Sequence, residues 1–220
     1  MSPRRRVTSR STMGPVTRAL IVTNVAVFAL EGVFGHAMML HLALWPMRRG
    51  LVSLYPPAAA RFAPWQLITS SFLHANLMHL FVNMLALYMF GRDVERALGS
   101  PRYLRLYVGS VLSAALVQLA VVSVASERNP YPTIGASGGV FGVLLAFAML
   151  FPRRIIILLF PPIPMPAWLF VGAYALFELA NGVAGTESGV AHFAHLGGML
   201  GAYLLLQRWR HARRAPELPA

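Results

Sequence analysis

Long apolar runs dominate this chain. The first spans about Val16 to Phe34, and five more follow at roughly Ala75–Phe90, Tyr103–Ala125, Ser137–Phe151, Ala167–Ala180 and Val190–Trp209. Continuous runs of this length predict helices that sit in lipid. Three of them, Ala75–Phe90, Ser137–Phe151 and Ala167–Ala180, fall short of the ~20 residues needed to cross a bilayer. A short helix is tolerated where its end is buried in protein or meets a water-filled cavity. The fourth run opens at Ser137, directly behind the Gly- and Pro-containing stretch Asn129–Gly135, and so reads as a helix that begins partway into the membrane. Between the first two runs, about Gly35 to Ser71 is mixed, with Trp45, Pro46, Arg48, Arg49, Pro56, Pro57, Arg61, Pro64 and Trp65. That composition predicts short amphipathic helices on the membrane surface.

Composition agrees with the pattern. The chain is 57% hydrophobic and 12% charged, against about 25% charged in soluble domains. The expected fold is an all-α membrane protein, a bundle of six transmembrane helices with a membrane-surface loop after the first. The expected division is a tail over 1–15, the bundle over 16–209 and a second tail over 210–220. The first run is longer than the ~7–15 residues of a signal-peptide core, and no A-x-A site follows it. It therefore reads as a retained helix. No soluble domain or internal repeat is visible. With no Cys, disulfides, thiolate nucleophiles and Cys-based metal sites are excluded.

The net charge of +12 comes with 19 cationic residues, all of them Arg. If both termini lie inside, fifteen fall on inner segments: Arg4, Arg5, Arg6, Arg10, Arg18, Arg92, Arg96, Arg102, Arg105, Arg153, Arg154, Arg208, Arg210, Arg213 and Arg214. Four fall outside: Arg48, Arg49, Arg61 and Arg128. This alternation fits six spans with both ends cytoplasmic. The Arg-rich tails read as topology determinants against anionic headgroups. No nucleic-acid partner is expected, because no basic or aromatic fold motif accompanies them. The all-Arg, Ala-rich usage suggests a GC-rich bacterium, and hence the inner membrane of a bacterial cell.

Polar residues inside apolar runs are costly, which makes each a functional candidate. The second run holds His79 and Asn83, four apart on one helical face, with His74 upstream. The fourth opens Gly135-Ala136-Ser137-Gly138-Gly139-Val140-Phe141-Gly142, and the sixth holds Ala194-His195-Leu196-Gly197-Gly198, with His192 one turn earlier. A membrane serine commonly bonds the carbonyl four residues back or sits where helices pack closely. Ser137 differs in standing at a helix N-terminus, where free N–H groups and the dipole favour an anion. A hydrolase also needs a base, and His is the usual one. His195 heads Gly197-x-x-x-Gly201, overlapped by Gly198-x-x-x-Ala202; packing of the fourth and sixth helices there brings it to Ser137. The Ser137 N–H and the side chains of Asn83 and His79 are suitable oxyanion donors. The competing reading makes His195 a satisfied core histidine, and His79 and Asn83 helix–helix hydrogen-bonders. No Asp or Glu has an obvious place as a third member, although Glu178 lies in the fifth run and could be one.

At these residues the chain resembles the rhomboid family of intramembrane serine proteases. The motifs are Trp65-Gln66 with Thr69 and Phe72-Leu73-His74; His79-x-x-x-Asn83; Gly135-Ala136-Ser137-Gly138; and Ala194-His195-x-x-Gly198. A fifth, Gly91-x-x-x-Glu95-x-x-x-Gly99, looks like the family's turn after the second helix. The resemblance runs from about Val16 to Gln207 and implies a six-helix catalytic domain of the basic bacterial type. It implies a Ser137–His195 dyad with no third acid, oxyanion side chains Asn83 and His79, and Phe141 packed against the catalytic imidazole. Gly135, Gly138 and Gly198 belong to the same motifs. His192 has no role to carry over. The fifth helix matches a lateral gate for substrate helices, and Pro161, Pro162, Pro164 and Pro166 make its start irregular. The implied partners are transmembrane protein substrates and the bilayer, with no cofactor and no metal.

Three rivals compete with this reading. A transporter or channel could line a polar path with intramembrane His and Asn, but no half-to-half repeat appears and Gly-Ala-Ser-Gly goes unexplained. A metalloenzyme could use His74, His79, His192 and His195, although no H-E-x-x-H is present. A catalytically silent binder of membrane segments would not need both Ser137 and His195.

Overall fold

The computed structural model describes residues 13–47, 61–124, 132–157, 162–184 and 191–214. The chain is mostly helical. In order come α1 (Pro15–Leu42), the single turn α2 (Gln66–Thr69) continued by a 3₁₀ turn (Ser70–Phe72), α3 (Leu77–Ala86), α4 (Arg92–Leu98), α5 (Ser100–Val124), α6 (Ser137–Leu150), α7 (Ala167–Ala184) and α8 (His192–Arg214). A π-helical stretch, Leu87–Gly91, joins α3 to α4.

The outer helices turn most of their apolar side chains outward. Helix α1 buries only Thr17, Leu20 and Asn24, while Val22, Val25, Leu30, Val33 and Phe34 are exposed. Helix α7 buries Ala167, Val171 and Glu178 and exposes Trp168, Leu169, Leu176 and Phe177. Apolar outside and polar inside is the arrangement that lipid favours, and the chain is an integral membrane protein. By length and composition three helices can cross a membrane: Pro15–Leu42, Ser100–Val122 and Ala167–Ala184. The pair Gln66–Phe72 and Leu77–Leu98, bent by 99°, is a fourth if counted as one broken span. Helix α6 is apolar but has only 14 residues, about 21 Å at 1.5 Å per residue.

Helix α6 is the axis of the bundle. Val140, Phe141, Val143, Leu144, Ala146 and Phe147 are all buried, in one core with residues of α3, α4, α5, α7 and α8. Glycine sets the spacing. A Cβ at Gly198 of α8 would strike the Gly138 carbonyl of α6, and one at Gly142 would strike Ser110 of α5. Gly197 and Gly201 turn the other way, with Ser113 and Val117 of α5 against them. The Gly197-x-x-x-Gly201 face expected between the fourth and sixth helices therefore packs on α5, and Gly198 makes a close approach to α6. Consecutive positions on a helix point about 100° apart, so Gly197 and Gly198 serve different neighbours.

Helix α1 is longer than its apolar run, ending at Leu42 rather than Phe34. Its last carbonyls need donors from outside the helix, and side chains of the mixed segment supply them. Trp45 Nε1 donates to the Met39 and Leu40 carbonyls, Trp65 Nε1 to His41, and Thr69 Oγ1 to Leu42. The buried Gln66 amide accepts from the Trp45 and Ala63 N–H groups and donates to the Arg61 carbonyl. The short helix expected in this segment is α2; residues 48–60 lie outside the described set.

At the other end of α1 the free N–H groups are capped by a residue almost eighty positions away. Glu95 accepts from Val16 N–H, Thr17 N–H and Thr17 Oγ1–H at 2.7–3.0 Å, and from Ser100 Oγ at 2.7 Å. Gly99, at φ 78°, makes the turn that lets α5 start beside it.

One departure from an all-α fold is a small antiparallel hairpin of β1 (Ile155–Ile157) and β2 (Pro164–Pro166) before α7. Three successive Ile favour strand over helix, and the prolines confine the pairing to a short, edge-like ribbon. Pro161 lies outside the described residues. Helix α8 continues through Arg214, past the expected end of the bundle at Trp209.

Candidate active site

The loop before α6 is fixed at two points. Leu44 and Thr133 exchange both backbone hydrogen bonds, at 2.9 and 3.0 Å, and Gly135 N–H donates to the Ser70 carbonyl at 2.9 Å. Gly135 adopts φ 124°, a region open to glycine and strained for other residues. A Cβ there would also meet the His79 ring at 2.7–2.9 Å. This turn delivers Ser137 as the first residue of α6, where its N–H has no carbonyl one turn back to bond.

His195 approaches from α8. Its Nε2 lies 2.8 Å from Ser137 Oγ, within the range for proton transfer between hydroxyl and base. Phe141, one turn along α6, stacks on the imidazole with centroids 4.2 Å apart and planes 4° from parallel. Tyr174 of α7 backs Phe141 at 4.9 Å. The close approach of Gly138 and Gly198 is what brings α6 and α8 near enough for the Ser137–His195 contact.

His79 sits at the Gly135 turn, near Ser137. A Cβ on Gly135 would lie within 4 Å of both the His79 ring and Ser137 Oγ. Its own N–H is capped by Asn76 Oδ1 at 2.8 Å. Asn83 is buried on the next turn, and its amide donates to the His79 carbonyl at 2.8 Å. An amide carries two N–H groups, so this bond engages one of them. His74 packs edge-on against His79 at 5.0 Å, and its N–H donates to the Glu31 carboxylate at 3.2 Å. A cleft lined by Ser70, Ser71, Thr133, Gly135 and Ala191 opens beside Ser137.

Helix α7 brings the acid of the fifth run, Glu178, to the Ser137–His195 pair. Glu178 is buried, and its Oε2 lies 2.8 Å from His195 Nδ1 and 2.7 Å from His192 Nδ1. The residue had a detectable signal. Ala167, Val171, Tyr174 and Glu178 recur at helical spacing, so a carboxylate closes the inward stripe of α7. His192 and His195, three apart, share one face of α8. The four histidines of the metal-site rival do not converge. His74 pairs with His79, and His192 with His195 and Glu178. The ligand atoms of Glu178, His192 and His195 lie within 4.8 Å of one another, near enough to hold a cation, and hydrogen bonds among the three use the same atoms.

Comparison with known proteins agrees with this geometry. The Rhomboid domain family matches residues 61–209. Rhomboid protein 1, mitochondrial, of Saccharomyces cerevisiae is 37% identical over 61% of this chain and 38% of its own length. RHOMBOID-like protein 12, mitochondrial, of Arabidopsis thaliana is 30% identical over 90% of this chain and 59% of its own. Rhomboid protease GlpG of Klebsiella pneumoniae is 28% identical over 84% of this chain and 64% of its own. The chain thus spans less than two thirds of the length of each of these relatives. With a family match over more than half its residues, this chain belongs to the rhomboid family.

Proposed function

We propose that the chain is an intramembrane serine endopeptidase that cleaves transmembrane segments of membrane proteins through Ser137 and His195. The observation that carries this reading is the 2.8 Å contact between Ser137 Oγ and His195 Nε2, in a bundle whose outer surface is apolar. Two similar proteins, from Klebsiella pneumoniae and Bacillus subtilis, are themselves named rhomboid proteases.

A substrate segment unwinds near one end and enters between α3 and α7. Ser137 Oγ bonds to the scissile carbonyl carbon as its proton moves to His195 Nε2. The new oxyanion is met by the Ser137 N–H, the Asn83 amide and His79. The carbon–nitrogen bond breaks as His195 returns the proton to the departing amine. Water then gives a proton to His195 and attacks the acyl-enzyme. The carbon–Oγ bond breaks, and the proton returns to Ser137. The cleft lined by Ser70, Ser71 and Thr133 supports a path for that water, since its rim carries hydroxyls.

Six spans with both termini on the cytoplasmic side of a bacterial inner membrane complete the proposal, supported by the Arg distribution. The test is cleavage of a model single-span substrate in liposomes by the full chain and by Ser137→Ala. Equal cleavage by the two would refute the assignment. Cleavage by neither, with binding intact, would favour a silent binder of membrane segments.

A further inference from the structure

Two imidazoles converge on a single carboxylate oxygen. Oε2 of Glu178 lies 2.7 Å from Nδ1 of His192 and 2.8 Å from Nδ1 of His195, while Nε2 of His195 lies 2.8 Å from Ser137 Oγ. A carboxylate only accepts. Each Nδ1 at that oxygen therefore carries a hydrogen, which leaves Nε2 of His195 as a lone pair facing the serine hydroxyl. This is the tautomer a general base requires.

We infer that Glu178 is a positioning residue for the hydrolytic reaction, fixing the His195 tautomer and ring orientation from α7, with His192 as the second donor that holds the carboxylate in place. The inference rests on the serine-protease reading of the same site and adds a third member to it. Glu178 is 3% exposed. An ionised carboxylate that far from water is costly unless it is paired and hydrogen-bonded, and both of these partners come from α8. It keeps its charge throughout. When His195 takes the Ser137 proton, the resulting imidazolium stays bonded to Glu178 Oε2, and no proton passes to the carboxylate.

The geometry joins α7 to the chemistry. Below Glu178 on the same face, Gly182 lets α7 approach α8, since a Cβ there would meet His192 Cβ at 3.2 Å and the Phe193 ring at 3.1 Å. Above it, Tyr174 touches Phe141, which stacks on His195. The imidazole is thus held on one face by Phe141, at Nδ1 by Glu178 and at Nε2 by Ser137.

The test compares wild type, E178Q, E178D and S137A, each as the full chain in liposomes. Three quantities are read: the rate of Ser137 labelling by a fluorophosphonate, kcat and KM on a single-span substrate, and the unfolding temperature. Gln offers an N–H where the carboxylate accepts, and so favours the wrong tautomer. E178Q is expected to label, and to turn over, about 100-fold more slowly or worse, with KM within roughly threefold of wild type. E178D keeps the charge one methylene short and should recover at least about tenfold over E178Q. A labelling rate and kcat in E178Q within about threefold of wild type would overturn the role of Glu178 alone. So would a loss confined to KM or to unfolding temperature. If E178Q does not fold, E178D carries the test: about a tenfold fall in kcat is expected, and a wild-type kcat overturns the inference. Labelling that survives in S137A sinks the serine-protease reading itself, and this inference with it.

Discussion

The imidazole of His195 lies flat on the ring of Phe141, with centroids 4.2 Å apart and planes 4° from parallel. The two side chains belong to different helices, α8 and α6, and the stack leaves the imidazole edge free to address Ser137. A ring held by one contact at Nε2 could still swing about χ2. A ring also covered on one face by an aromatic ring cannot do so without giving up that contact.

Phe141→Ala therefore removes an orientation as well as a volume. The expected result is a fall in kcat of about tenfold with the fluorophosphonate rate falling in parallel. Loss of stability should be on the order of 3–5 kcal/mol, typical of a buried Phe→Ala cavity. Phe141→Tyr keeps the ring and should hold more than half the activity if the hydroxyl finds a partner. Equal turnover by Phe141→Ala and wild type would show that the stack does not orient the base.

The second prediction concerns Gly198. A Cβ at this position would run into the Gly138 carbonyl of α6, and backbone cannot step aside as a flexible side chain can. Gly198→Val should push α8 off α6 and separate His195 from Ser137. Activity is expected to fall below about 1% of wild type, with a lower unfolding temperature. Gly172, on α7, has nothing within 4 Å of an added Cβ, so Gly172→Ala serves as the control and should behave as wild type in both measurements.

These two positions also show what could be read without coordinates. Ser137 and His195 announce themselves because each breaks an apolar run where a polar group is expensive, and Gly138 and Gly198 flank them. Phe141, one turn after Ser137, comes only with the family resemblance, since spacing alone marks it as one more apolar residue of the run. Glu178 was visible as a charge on the inward stripe of α7, but its partners lie 14 and 17 residues away on α8. Periodicity gives the face of a helix and not the residue opposite it. The same limit explains why Gly197 and Gly201 were assigned to the wrong neighbour. A small-residue face predicts close packing without naming the helix that packs. The Ile155–Ile157 strand was hidden because a short apolar run reads alike as strand or helix end.

The third prediction separates the two side-chain oxyanion candidates. His79 stands beside Gly135 and Ser137, whereas Asn83 bonds to the His79 carbonyl and has one further amide N–H to offer. Loss of a single oxyanion donor costs about 10²–10³ in rate. Asn83→Ala should lower kcat on this scale with little change in KM, since the donor acts on charge that exists only in the transition state. His79→Ala should do the same if its ring also donates. It carries an added cost in stability, because the ring packs under the Gly135 turn. Steady-state cleavage of a single-span peptide, with unfolding measured alongside, distinguishes a lost donor from a collapsed turn.

The last prediction lies far from the chemistry. Glu95 holds the first turn of α1 through Val16 N–H, Thr17 N–H and Thr17 Oγ1–H, and holds the start of α5 through Ser100 Oγ. A carboxylate at a helix N-terminus satisfies donors that have no intrahelical partner and complements the helix dipole. Gly14 is needed here too, since a Cβ on it would overlap the Glu95 carboxyl. Glu95→Ala strands those donors inside protein and should destabilise the fold by roughly 2–4 kcal/mol, the sum expected for a lost cap and its charge-assisted bonds. Glu95→Gln keeps two acceptor lone pairs and loses the charge, so it should fall between the two. Because the capped turn at Thr17 lies 14 residues, about 21 Å at 1.5 Å per residue, along α1 from Glu31, where the helix meets His74, the fluorophosphonate rate of the folded fraction should stay within about twofold of wild type in both variants. Thermal unfolding in detergent, followed by circular dichroism, together with labelling at a temperature where all three proteins are folded, measures both quantities. A normal unfolding temperature in Glu95→Ala would mean that α1 is held in place by lipid and side-chain packing alone.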